Sequence, residues 1–383
     1  MTLSTTKAAD FDPSFGENGR LEVRPPGNFT NILSNVTTDA LGRLVIFGSY
    51  RRQTPATQRP GVARFTDIGA FDTGFGDMQD GLTSPPKEVL ASSVSSIAML
   101  EDGKFFITGA SSTQLPLIQY DADGKLVSSQ DIAQESQSVT PRLLALEDKF
   151  LVATANGSAG VIYRRQADGT PDMDFGSDGK TTFLSGNSYI STLHMARSKG
   201  NSYFYLAGEV GNDGFILRMT NSGELDQGFA DNGVYLIKMV DSRLSACRKV
   251  IELSDGKLLA LIASSGSVDN SAIYLTRLTT TGRIDATFDR GEPVLIPGEV
   301  GEDLALQDDK ILILHRGLMT GNQLTRYLPN GALDQEFGSD GSGSINFNNA
   351  QISFAKSVTV QNDGKIVVAG LSGSLTVLLR LLP

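Results

Sequence analysis

An internal repeat constrains this chain more than anything else in its 383 residues. Seven times a turn is followed by a run rich in apolar residues: Leu41–Gly48, Asp102–Gly109, Glu147–Thr154, Lys199–Gly208, Asp255–Leu261, Asp308–Leu314 and Asp363–Gly370. A repeat of this length marks an architecture in which each copy buries its apolar faces against its neighbours. A second anchor follows, an apolar strand ending in Arg with Gly five, Asp eight and Phe eleven residues further on. It reads Arg64, Gly69, Asp72, Phe75; then Arg164, Gly169, Asp172, Phe175; then Arg218, Gly223, Asp226, Phe229. It continues as Arg277, Gly282, Asp285, Phe288 and Arg326, Gly331, Asp334, Phe337. The last copy starts at Arg380 and is completed by Asp12 and Phe15 at the other end of the chain. The second copy departs: Gln119 replaces Arg, Gly124 is kept, and Val127 and Gln130 replace Asp and Phe.

That joint loss is informative, because a ligand-binding residue acting alone would give its neighbour no reason to vanish with it. The pattern predicts that Arg64 pairs with Asp72, Arg164 with Asp172, Arg218 with Asp226, Arg277 with Asp285, Arg326 with Asp334 and Arg380 with Asp12. A bidentate guanidinium–carboxylate contact suits a place where a strand end is tied to the following loop. The repeated Phe residues read as core beside each pair, and the pairs as structural, not catalytic.

Each copy spans about 45 to 60 residues and holds four apolar or alternating runs separated by turn residues, the signature of a four-stranded blade. In the last copy these are Ser357 to Gln361, Lys365 to Ala369, Leu375 to Leu381 and, from the N-terminus, Arg20 to Val23. The expected fold is an all-β, seven-bladed β-propeller in a single domain over 1–383, with 1–23 as closing strand. Its blades fall near 31–84, 93–131, 140–184, 190–237, 247–296, 303–347 and 354–383 plus 19–23. An open ring would leave an unpaired sheet edge, which the N-terminal strand removes by joining the C-terminal blade. No segment carries a sustained helical period with caps.

Two segments, Leu333–Gly338 (Leu-Asp-x-x-Phe-Gly) and Gln361–Gly370 (Gln-x-Asp-Gly-Lys-Ile-x-Val-Ala-Gly), resemble the delta-60 repeat of bacterial β-propeller-like proteins. The resemblance extends over nearly the whole chain apart from the second copy. It implies a bacterial origin and a propeller, and carries no common reaction onto residues here.

Composition narrows the function classes. Lys and Arg total 33 against 43 Asp and Glu, a formal charge of -10, which disfavours nucleic acid and anionic membrane surfaces as partners. One cysteine, Cys247, leaves no intramolecular disulfide and no cysteine-based metal site. Met1 to Asp10 lack the apolar run of a secretory signal, and no stretch reaches the roughly 18 apolar residues of a membrane span. The expected setting is cytoplasmic, or exported without a classical signal peptide. His194 and His315 fall on different blades and read as packed or exposed residues, with no zinc-site spacing. Nucleophile-elbow, dinucleotide and P-loop motifs are missing, and Asp121-Ala122-Asp123-Gly124 reaches Ile132, not Glu, at the twelfth position of a calcium loop. No cofactor and no metal are expected.

The two constant turns lie at one end of the blades, which leaves the variable connections at the other, where binding residues concentrate on a rigid scaffold. Connections between second and third strands fall near 49–60, 110–114, 154–158, 209–213, 264–271, 316–322 and 371–373. Those between blades fall near 24–31, 82–92, 239–247 and 297–303. The longest, Ser49 to Pro60, places Tyr50, Arg51, Arg52 and Arg59 in one loop, with Arg24 in a neighbouring connection. Such a cluster suits an anionic group or an acidic protein partner, against the plain alternative of a solvated loop. Glu299, Glu302 and Asp303 form a second, acidic stretch, also read as a solvated loop. The expected function is a non-enzymatic binding or scaffold module presenting this end to a protein partner. The alternative is a carbohydrate-binding or glycan-hydrolysing propeller using the axial funnel, with Tyr50 or Tyr189 in the stacking role that Trp would fill.

Overall fold

The computed structural model describes residues 10–24, 29–52, 57–86, 89, 93–109, 113–133, 138–157, 159–186, 189–238, 244–266, 271–338, 341–348 and 352–383. They form seven four-stranded antiparallel sheets, six running in chain order from an inner to an outer strand and the seventh taking its outer strand from the N-terminal segment. The fold is a seven-bladed β-propeller. Its chain divides into two compact units, 1–58 with 62–82 and 298–383, and 59–61 with 83–297.

The first unit holds blades 6 and 7 and, apart from residues 59–61 and 83, blade 1. Blade 1 is Phe29–Thr38, Leu44–Arg52, Thr57–Phe65 and Leu82–Thr83; blade 6 is Val300–Gln307, Lys310–Gly317, Gly321–Tyr327 and Ser344–Asn346. Blade 7 is Phe354–Val360, Ile366–Ser372, Leu375–Leu381 and, as its outer strand, Arg20–Val23, in register from Arg20 opposite Leu379 to Val23 opposite Thr376. The second unit holds blade 2 (Ser96–Met99, Phe105–Thr108, Pro116–Tyr120, Leu126–Asp131) and blade 3 (Arg142–Ala145, Lys149–Asn156, Ala159–Gln166, Lys180–Phe183). It also holds blade 4 (Ile190–Arg197, Tyr203–Val210, Asp213–Thr220, Val234–Ile237) and blade 5 (Leu244–Glu252, Leu258–Ser265, Ala272–Leu278, Val294–Ile296).

Second and third strands are apolar without alternation because both their faces are covered; Phe150 to Ala155 and Ile366 to Gly370 are buried at every residue. The cores accordingly lie between neighbouring blades. Leu312, Leu314 and Phe337 of blade 6 share one with Val358, Val368 and Val377 of blade 7. Phe15 and Val367 share another with Val36, Ile46 and Phe65 of blade 1. In the second unit the same rule joins Ile162 and Phe175 to Phe204 and Met219, and Tyr205 and Phe229 to Val250 and Leu278.

Each repeated Arg donates from Nε to Oδ2 of its paired Asp, eight residues on in five copies and Asp12 for Arg380, at 2.5 to 2.8 Å. Its guanidinium lies over the repeated Phe, with Cζ 4.4 to 4.8 Å from the ring centroid. The expected bidentate fork does not form with both carboxylate oxygens. Oδ1 is occupied by the backbone N–H two residues on, from Ser14, Gly74, Asp174, Gly228, Thr287 and Glu336, so the same carboxylate caps its own turn.

The first anchor joins the same network. Lys149, Lys257 and Lys310 reach Asp172, Asp285 and Asp334 at 3.0 Å, Lys365 reaches Asp12 at 3.4 Å, and Arg43 reaches Asp72 at 3.4 Å. Burial alone would raise Asp12; hydrogen bonds from the Ser14 hydroxyl and N–H, with the charges of Arg380 and Lys365, outweigh it and bring its pKa down to about 2. The guanidinium also crosses to the next blade: Arg164 donates to Asn221 O, Arg218 to Thr280 O at 2.5 Å, and Arg380 to Asp67 O. The repeated Gly belongs to this seam. At Gly223 (φ +89°) a Cβ would come within 2.9 Å of the Phe175 ring, so the position needs both the left-handed backbone and the missing side chain.

Blade 2 shows what replaces the triad. Gln119 Nε2 donates to Ala167 O at 3.1 Å, the bond to the next blade that Arg makes elsewhere, and Gln130 Nε2 donates to Gly169 O at 3.1 Å. Phe106 stacks on Phe150, ring centroids 4.1 Å apart.

Candidate functional site

The inner strands carry an inter-blade stitch that follows from backbone arithmetic. A neighbouring inner strand leaves an N–H that only a side chain can meet, and an acceptor at one repeated position meets it. Ser96 Oγ accepts from Leu143 N–H at 2.9 Å, His194 Nδ1 from Val250 N–H at 3.4 Å, and Asp303 Oδ2 from Val358 N–H at 2.8 Å. His194 is driven well below its usual pKa by burial and by the nearby charges of Lys249 and Arg142, which keeps Nδ1 free to accept. His315 is 1% exposed; its Nε2 shares a hydrogen with Thr325 Oγ at 2.8 Å, and burial lowers its pKa to about 4. Both histidines are packed, and Cys247 is buried, its thiol pushed up to about 12 by desolvation.

The variable end differs from expectation at both predicted clusters. The stretch 49–60 is mostly strand: Leu44–Arg52 pairs onward to Thr57–Phe65, and Gln58 Nε2 donates to Ser49 Oγ at 2.8 Å. Tyr50 ends a run buried at every residue from Leu44 and is itself 5% exposed, so its ring is withdrawn from any surface cluster. The physical reason is that a doubly covered strand buries both sets of alternating side chains. Arg51 and Arg59 are exposed, the Arg52 side chain and residues 53–56 lie outside the described residues, and Arg24 is exposed with its guanidinium on Glu22. The acidic stretch is likewise not a solvated loop. Asp303 is 8% exposed and also accepts from Ser357 Oγ at 3.0 Å, while Glu302 binds Lys356 Nζ at 3.1 Å.

These acidic residues support a surface that sequence reading did not single out. At the tip between the second and third strands of blade 6, Leu318 and Met319 are 81% and 94% exposed. Their backbone is fixed from three sides: Glu299 Oε2 accepts from Leu318 N–H at 2.7 Å, and Asn346 and Asn348 donate to Thr320 O at 2.7 and 3.2 Å. Gly317 and Gly321 make the hairpin tight enough that a Cβ at Gly317 would meet Thr320 Oγ1 at 2.3 Å. Beside the tip, Arg316 lies over the half-exposed ring of Phe354, 5.4 Å from its centroid, and faces Glu302 at 3.8 Å. A signal was available, since Leu318-Met319 puts two large apolar residues between turn glycines. Among the described residues no group of His, Cys, Asp and Glu is placed to hold a metal ion, and no helix is long and apolar enough to cross a membrane.

Comparison with known proteins agrees with the architecture. Residues 253–288 and 361–383 match the family described as "Domain of unknown function (DUF5122) beta-propeller". No curated protein matches the sequence. Among solved structures the chain is similar to the Dos1 propeller, at 11% identity and a TM-score of 0.53 over 91% of this chain and 77% of that one. It is also similar to a protein from Lactobacillus plantarum (12% identity, TM-score 0.51, 80% of this chain and 84% of that one). A prolyl endopeptidase structure matches at 11% identity and a TM-score of 0.52, over 89% of this chain and 47% of that one. At these identities the likeness is one of fold, and the chain is a β-propeller.

Proposed function

We propose that this propeller is a non-enzymatic binding module that presents its variable end to a protein partner, chiefly through the blade 6 and blade 7 surface. The observation that carries the reading is the pinned hairpin with Leu318 and Met319 at its tip. Two large apolar side chains held in solvent by a fixed backbone lose little ordering entropy when covered, which favours association. Met, Arg and aromatic residues are enriched at interface centres, and Met319, Arg316 and Phe354 supply one of each beside a charged rim of Glu302 and Lys356. The buried Arg–Asp–Lys network at the opposite end supports a scaffold role for the constant turns.

The test is affinity capture with the full chain and with Leu318→Asp plus Met319→Asp, compared by quantitative mass spectrometry against a variant changed at Met78, an equally exposed methionine in a constant-end loop. The reading expects a protein retained by the parent and the Met78 variant and lost from the double variant. Equal capture by all three overturns it.

A further inference from the structure

Blade 3 departs from its six sister copies at one buried position. The residue after the repeated Arg, or after Gln119 in blade 2, is Phe65, Tyr120, Met219, Leu278, Tyr327 and Leu381, all between 0% and 4% exposed. In blade 3 it is Arg165, 8% exposed. The sister residues share a core with the repeated Phe of the preceding blade: Met219 with Phe175, Leu278 with Phe229, Leu381 with Phe337 and Phe65 with Phe15. The blade preceding Arg165 is the degraded one, with Gln130 where that Phe would stand. The two departures occupy the two positions that pack together in the sister copies, and Arg165 lines a cleft of about 910 Å³ beside this seam.

Arg165 lines that cleft, with its guanidinium over Tyr163, Cζ 5.6 Å from the ring centroid. Its Nε is buried without a hydrogen-bond partner, and no described carboxylate forms an ion pair with it. A desolvated cation without an anion is costly, and burial lowers the pKa of this guanidinium in keeping with that cost. Lys180 Nζ lies 5.6 Å from the same ring. Asp174, Asp178 and Glu224 line the cleft as well, which leaves it with three carboxylates to two cations. That balance opposes phosphate and polyanions. It suits one carboxylate on Arg165 and several hydroxyl donors for the Asp and Glu oxygens.

We propose that the outer cleft of blade 3 binds an acidic sugar, a uronate-type residue whose carboxylate pairs with Arg165 and whose hydroxyls donate to Asp174, Asp178 and Glu224. The cleft has the volume of a small-ligand site. It shares no residue with the protein-docking surface of blades 6 and 7, so either can fail alone.

The experiment is calorimetric titration of the full chain with sodium glucuronate, sodium galacturonate, glucose and inorganic phosphate. Saturable binding of a uronate, with glucose and phosphate weaker, is the expected result. Arg165→Met places the residue of blade 4 at this position, so it should melt no lower than the parent while binding the uronate roughly ten- to a hundredfold more weakly, the value of one charged hydrogen-bonded contact. Lys180→Gln, on the outer strand, gives a second variant with weakened binding. The proposal is overturned if neither uronate binds, if phosphate binds more tightly, or if a folded Arg165→Met or Lys180→Gln protein binds as the parent does.

Discussion

Asp12 and Arg380 join the two ends of the chain across 368 residues, and removing either should reveal how much the repeated clamp contributes. Both are buried, at 2% and 3% exposure. Replacing Arg380 by Ala leaves the Asp12 carboxylate with Lys365 at 3.4 Å and the Ser14 groups; replacing Asp12 by Ala leaves a guanidinium over Phe15 with only uncharged partners, the Asp67 carbonyl, the Gln361 amide oxygen and the Ser14 hydroxyl. Loss of one partner from a buried pair costs about 3–5 kcal/mol. The double variant leaves neither charge stranded, so its loss should fall short of the sum of the single losses by about 2 kcal/mol or more. Urea titrations at neutral pH, followed by circular dichroism because the chain has no Trp, supply the cycle. Losses that add to within about 0.5 kcal/mol would refute the clamp as a coupled unit.

Other expectations follow from the same geometry. His315 has a folded pKa of about 4 against 6.5 in the unfolded chain, so its contribution is present above pH 6.5 and lost as pH falls toward 4. That is about 3 kcal/mol, and His315→Asn should flatten the stability–pH curve in this window; an unchanged slope counts against it. Removing residues 1–23 takes away the strand paired with Thr376 to Leu379 and exposes a sheet edge, so the melting temperature should fall sharply. An unchanged melting temperature would reject the closing role. Cys247 should resist a thiol reagent until the protein unfolds, and rapid labelling at neutral pH would contradict its burial. Gly160→Ala would push a methyl to within 2.1 Å of the Phe183 ring, and a loss of about 1–3 kcal/mol in urea titration is expected, with no loss telling against the packing.

How much of this was legible in the sequence depends on how each residue finds its partner. The Arg and Asp of a clamp are eight residues apart in five copies, and their joint loss in blade 2 links them without a structure. Lys257 lies 28 residues before Asp285, and Asp-Gly-Lys reads as turn chemistry alone; its place in the clamp needs the blade's second and third strands side by side. The bidentate fork was over-read because the Asp must also cap its own turn, a demand set by the backbone. Tyr50 and Asp303 were misplaced for a shared reason: strands run past the turn residues that seemed to bound them, and polar side chains there serve neighbouring strands. Arg165 was visible as the one charged residue in a column of apolar ones, but an Arg after an Arg hides inside the motif.

The central functional claim is that recognition occurs at the blade 6 hairpin and not at the constant turns. A photo-reactive amino acid at Met319, and separately at Met78, tests it most directly, since these side chains are 94% and 82% exposed and differ in which end of the blades they occupy. The account predicts one discrete crosslinked protein from Met319 and none from Met78. The same adduct from both positions, or an adduct from Met78 alone, would contradict it.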